Sequence, residues 1–86
     1  MYLYICKNNI IKTENIIGLF DINTIKKTKE FKELCIKLKN ENQLINISNN
    51  IEKSFILIKE NKKCKAYISN FSIETLEKRI NMKNKN

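Results

Sequence analysis

The sequence predicts an α+β fold: one small domain of antiparallel β-hairpins and sheet, with one long helix and a short C-terminal helix. Three observations carry this expectation. Apolar or alternating runs of strand length occur on both sides of the chain's middle. Between them, over about 23–42, the apolar residues recur every three to four positions. Near the end, a serine opens a segment bearing the marks of a capped helix. At 86 residues the chain holds a single domain with a thin core, which association of copies would help to stabilise.

The elements follow in order. Residues 2–6 (YLYIC) and 10–12 (IIK) read as two short strands around a Lys7-Asn8-Asn9 turn, because asparagine tolerates the left-handed conformation. Thr13 begins a local turn. Residues 16–22 (IIGLFDI) are nearly all apolar, as in a strand buried on both faces or lying in a subunit contact. Gly18, the only glycine, marks a bulge or a tight packing contact there. From Asn23 or Thr24 to about Asn42 a helix is expected, with Phe31, Leu34, Cys35 and Leu38 on its apolar face. Its lysines occupy mostly the other faces as a solvated surface, and Glu33 with Lys37 forms an i, i+4 pair.

Residues 44–48 (LINIS) read as a strand. Residues 54–59 and 64–69 form an antiparallel hairpin turning at "ENKK". Phe55, Leu57 and Lys59 share one face of it, and Ile56 and Ile58 the other, so the hairpin sits within a sheet covered on one side by the long helix. Ser72 is the expected N-cap of the last helix, with Phe71 and Leu76 placed as a hydrophobic staple. Glu74 and Glu77 lie early in it and Lys78 and Arg79 late, as the helix dipole favours. Ile73, Leu76 and Ile80 form its stripe. Residues 1–80 thus make one domain, and 81–86 is a polar basic tail expected to be disordered.

Composition limits the chemistry. There is no histidine, one aspartate (Asp21) and one glycine. Catalysis by Ser/His/Asp or Cys/His is excluded by the missing imidazole, and phosphate loops by the missing glycines. Asp21 has no partner at a metal-ligand spacing, so neither a metal nor another cofactor is expected. The protein is not expected to be an enzyme or to take a small-molecule substrate. Three widely spaced cysteines, Cys6, Cys35 and Cys64, fit small apolar fillers in a reducing compartment. The N-terminus lacks the features of a signal peptide and no run reaches membrane-span length, so a cytoplasmic protein without membrane contact is expected.

The net charge of +8 suggests phosphate binding. However, lysine, asparagine and isoleucine, all with A/T-rich codons, make up 46 of the 86 residues, so placement matters more than total charge. The stretch "KENKKCK" puts Lys59, Lys62, Lys63 and Lys65 against Glu60, an excess of three positive charges at a hairpin tip. Lysines there would contact phosphates as point charges, positioning a duplex without reading bases. They also suit an ordinary solvated turn.

The stretches "MYLYI", "IIKTENIIGLFD", "KSFILI" and "YISNFSIETLEKR", in this order and spacing, resemble the RemA/RemB group of extracellular-matrix regulators, and more the RemB branch. The match runs through Thr13 to Ile17, then Leu19, Phe20 and Asp21, then Lys53 and Ser54. It continues with Tyr67, Ile68, Ser69, Ser72, Thr75, Leu76, Lys78 and Arg79, while Asn70 replaces the usual proline. The resemblance covers nearly the whole chain.

It implies a LytTR-like fold, a ring-shaped homo-oligomer, and binding of double-stranded DNA upstream of biofilm-matrix genes. RemA-like chains carry arginines before the third and fifth strands, where this sequence has Asn15 and then Ile51, Glu52 and Lys53; only Lys53 keeps the charge. The resulting candidate DNA contacts are Lys53, Lys59, Lys62, Lys63, Lys65, Lys78 and Arg79. Arg79 also suits a second role, capping carbonyls or closing a salt bridge. A rival reading is an oligomeric protein-interaction scaffold of the same fold, with Ile36 and Ile51 as interface anchors.

Overall fold

Backbone chemistry sets where the elements stop and start. The structure is a computed structural model that describes residues 2–6 and 9–84. The order is β1 (Tyr2–Cys6), β2 (Asn9–Lys12), a 3-10 turn (Thr13–Asn15), β3 (Ile16–Asp21), α1 (Ile22–Ile25), α2 (Lys29–Asn40), β4 (Leu44–Asn46), β5 (Ser54–Glu60), β6 (Lys63–Ser69) and α3 (Ile73–Asn84). β1 and β2 form a two-stranded antiparallel ribbon. The other strands form one sheet in the order β3-β5-β6-β4. Of the expected turn Lys7-Asn8-Asn9, Lys7 and Asn8 lie outside the described residues, and Asn9 already belongs to β2.

The α+β class is as expected, and several boundaries are corrected. The long helix is interrupted: Thr28 donates its hydroxyl to the Ile25 carbonyl (2.7 Å), and its oxygen accepts from the Phe31 amide (3.2 Å). The same side chain therefore closes α1 and caps α2. Ile22, expected at a strand end, opens α1 and is buried, with the Asp21 side chain as the cap. The ion pair on the exposed side of α2 joins Lys29 to Glu33 at 3.9 Å, not the expected Glu33 to Lys37. β4 ends at Asn46, because the Asn46 Oδ1 turns back to accept from the Ser48 amide and hydroxyl. α3 runs to Asn84, four residues past the expected end at Ile80.

α2 ends in a Schellman motif built on asparagine. Asn42 has φ 58°, its amide donates to Lys39, and the Gln43 amide donates to Leu38. Asn49, Asn50 and Asn61 also adopt positive φ, so asparagine fills left-handed positions that glycine would take in another chain. The Gln43 carbonyl then accepts from Ala66, bringing β4 in parallel to β6. An antiparallel sheet was expected throughout. The helical connection returns the chain to the end where β3 began, so β4 enters in the same direction as β3 and β6.

Strand alternation divides the core in two. Phe55, Ala66 and Ile68 face α1 and α2, where they meet Ile22 and Leu38. Phe31 contacts Phe55 edge-on, with 4.9 Å between ring centroids. Ile56, Ile58 and Tyr67 face the other way and meet Leu3, Ile5 and Ile11 of the ribbon and Leu76 of α3. The long helix covers one face as expected; the ribbon and α3 cover the other. Each fully buried aliphatic side chain in these clusters contributes roughly 1.5–3 kcal/mol.

Candidate nucleic-acid interface

The β5–β6 hairpin turns through Asn61 and Lys62, both left-handed, with φ of 53° and 67°. Two consecutive positive φ values in a two-residue loop define a type I′ turn, whose twist matches that of the strands. The register sets Lys59 opposite Cys64 and Glu60 opposite Lys63. Lys62 therefore projects from the tip, Lys59 shares the α2 side with Cys64, and Lys63 and Lys65 lie on the ribbon side. The Lys65 ammonium lies 5.4 Å from the centroid of the Tyr67 ring. Lys62 and Lys63 stand at the turn, with Lys59 and Lys65 behind them on opposite faces of the hairpin.

Their neighbourhood contains a lysine that the sequence assigned to a solvated face. A cleft of about 440 Å³ opens between the end of α2 and the hairpin tip, bordered by Lys37, Glu41, Gln43, Lys62, Lys63 and Cys64. Lys37 thus joins the tip cluster. No feature of the sequence signals this, because it follows from how α2 lies on the sheet. Cys64, expected as an apolar filler, is exposed here. Cys35 is half-buried against the α2-side core, and burial pushes its thiol pKa up. The Cys6 side chain lies outside those described.

The remaining candidates lie elsewhere. Lys53 precedes β5, a strand of seven residues, so it is roughly 20 Å from the tip. Its amide donates to Ser69 (2.9 Å) and its carbonyl accepts from Ile22 (3.0 Å). Around it are Asp21, Asn23, Ser72 and Glu74, so its own surroundings are not basic. Lys78 is exposed on α3. Arg79 donates from Nη1 to the Tyr4 carbonyl (2.9 Å), and its guanidinium lies 4.2 Å from the centroid of Phe71. That side chain fastens α3 to the ribbon. Of the candidate residues, Lys59, Lys62, Lys63 and Lys65 belong to the hairpin end, and Lys53 and Lys78 belong to other parts of the chain.

The "YISNFSIETLEKR" ending now has a structural reading. Tyr67 and Ile68 enter opposite cores, and the Ser69 hydroxyl accepts from the Phe71 amide (2.9 Å). Ser72 accepts from the Thr75 amide (3.2 Å) as the expected N-cap, and Leu76 is fully buried. Most of these residues build the domain. Among the described residues no group of three or more His, Cys, Asp or Glu side chains gathers as a metal site would need. None of their helices is long and apolar enough to cross a membrane.

No curated protein matches the chain. The family model described as RemA-like, extracellular matrix regulatory protein A-like, matches residues 2–80. That span takes in both cores and the hairpin with its lysine tip, and the chain belongs to the RemA-like family of extracellular matrix regulatory proteins.

Proposed function

We propose that this chain is a small DNA-binding transcriptional regulator of the biofilm-matrix type, of the RemB-like branch. It acts in the cytoplasm as a ring-like homo-oligomer and without a cofactor, holding double-stranded DNA by multivalent lysine–phosphate contacts. The observation that carries this reading is the hairpin tip, where Lys59, Lys62, Lys63 and Lys65 stand with Lys37 beside them. Repetition of the tip around an oligomer adds weak contacts through effective concentration. Selection among sequences then rests on bendability and groove shape more than on base readout. The test is fluorescence anisotropy with an A/T-rich duplex. Affinity should fall by at least about a hundredfold between about 50 and about 200 mM salt. No binding at the lower salt rejects this reading.

A second reading, an oligomeric scaffold that docks a protein partner, is favoured by one specific observation. Arg79 is engaged within the domain, while Ile36 and Ile51 are 61% and 57% exposed. Under that reading the duplex does not bind, and Ile36→Lys with Ile51→Lys abolishes partner capture while the fold remains intact.

A further inference from the structure

The hairpin tip overhangs its neighbours. β6 begins at Lys63, but β4 pairs with it only from Leu44 opposite Ala66 onward. The Gln43 carbonyl, which accepts from the Ala66 amide (2.9 Å), marks where the overhang starts. α2 ends at Asn40, and the left-handed Asn42 turns the chain toward β4. The cleft of about 440 Å³ between the tip and the end of α2 is the space this arrangement leaves. Its volume is that of a small-molecule site.

The lining is of two kinds. Leu38, 1% exposed, and the half-buried Leu34 give it an apolar floor. Lys37 from α2 and Lys62 and Lys63 from the turn bring three ammonium groups, against the single carboxylate of Glu41. None of these lysines forms an ion pair with a described residue, unlike Lys29, which pairs with Glu33. The cleft therefore has an excess of two positive charges, held by two separate elements. Like charges around one cavity repel one another, and an anion seated between them removes that cost.

The apolar floor narrows the choice of anion. A bare hydrated ion gains nothing from Leu34 and Leu38, whereas an anion on an apolar body buries surface there. A phosphate monoester carries nearly two negative charges at neutral pH, which balances the excess. We infer that the cleft binds a small organic phosphate, a monoester on a compact apolar body. Lys37, Lys62 and Lys63 surround the phosphate on their flexible stems, and Leu34 and Leu38 support the body. A DNA phosphodiester, with one charge and its bases stacked away, fits the same cleft less well. Because Lys62 and Lys63 also meet the duplex on the reading proposed above, such a ligand acts as an effector that weakens DNA binding. That consequence rests on the DNA reading; the site itself does not.

The experiment uses the whole chain, without DNA, and 1-naphthyl phosphate as the probe. By calorimetry at low salt it should bind at least about tenfold more tightly than inorganic phosphate, because only the naphthyl body buries apolar surface. Lys37→Gln should weaken it at least about fivefold, through loss of one charged contact. Lys32→Gln removes the same charge from α2 away from the cleft and should change it less than about twofold. Cys64 lines the cleft and Cys35 does not, so the native thiols report the location. Saturating probe should slow alkylation of Cys64 by iodoacetamide at least about threefold and leave Cys35 unchanged, read by peptide mass spectrometry. Absence of binding at millimolar probe overturns the inference. Equal affinity for the two phosphates, equal effects of the two variants or an unprotected Cys64 also overturns it, by reducing phosphate to a general counter-ion of a basic chain. A duplex that fails to bind in the salt titration rejects the proposed function and leaves this site standing.

Discussion

Arg79, the only arginine in a chain otherwise positive through lysine, shows what one side chain can decide. Its planar fork donates to a carbonyl 75 residues away while its face stacks on Phe71, two roles that a lysine ammonium cannot combine. Arg79→Ala should lower unfolding stability by about 1–2 kcal/mol, and Arg79→Lys should recover less than half of the loss. Chemical denaturation of the three proteins checks this. Lys62 gives the opposite case. Its φ of 67° is strained for a side chain with a Cβ, and the type I′ turn prefers glycine there. Lys62→Gly should stabilise the fold by up to about 1 kcal/mol, whereas Lys62→Ala should not, by the same measurement. A natural residue that costs stability at this position is consistent with selection for its charge.

Among the elements, α3 was the most legible in the sequence, because its signals are local. Ser72 caps the helix as expected by accepting from the Thr75 amide, and Phe71 and Leu76, placed as a staple, both join the ribbon-side core. Ser72→Ala should destabilise the domain by about 1 kcal/mol, read as a lower thermal midpoint, and Ser72→Asp should restore most of it. The long helix was read less well. Its apolar face over Phe31, Leu34, Cys35 and Leu38 is correct, but Thr28 divides it from α1 by bonding in both directions along the chain. A threonine between lysines gives no warning of that in the sequence. The parallel entry of β4 was also hidden, since strand direction depends on how the helix crosses the sheet and not on any residue of β4.

In the whole molecule, the two-sided sheet determines where positive charge accumulates. β5 separates Lys53 from the hairpin tip by its full length, while α2 brings Lys37 to that tip. On the DNA-binding reading proposed above, the contacts of one subunit with a duplex would therefore concentrate at the hairpin end of the sheet. Lys62→Glu with Lys63→Glu should weaken duplex binding by more than about tenfold and lower the salt slope by about 2 or more, with unchanged circular dichroism. Lys53→Glu should have a distinctly smaller effect, because Asp21 and Glu74 already offset its charge. Equal effects in the two variants would mean that assembly brings Lys53 and the tip of a neighbouring subunit onto one surface.

The sequence by itself determined the α+β class, the β5–β6 hairpin with its lysine tip, the capped α3 and the membership of the regulator family. These depend on period, capping and turn chemistry acting over a few residues, or on the order of short motifs. Only the tertiary structure decided that the sheet has a core on each face, that Lys37 joins the tip and that Arg79 is anchored to Tyr4. Each of these depends on contacts between segments distant in the chain, and such contacts are fixed by how whole elements pack, which local patterning does not encode.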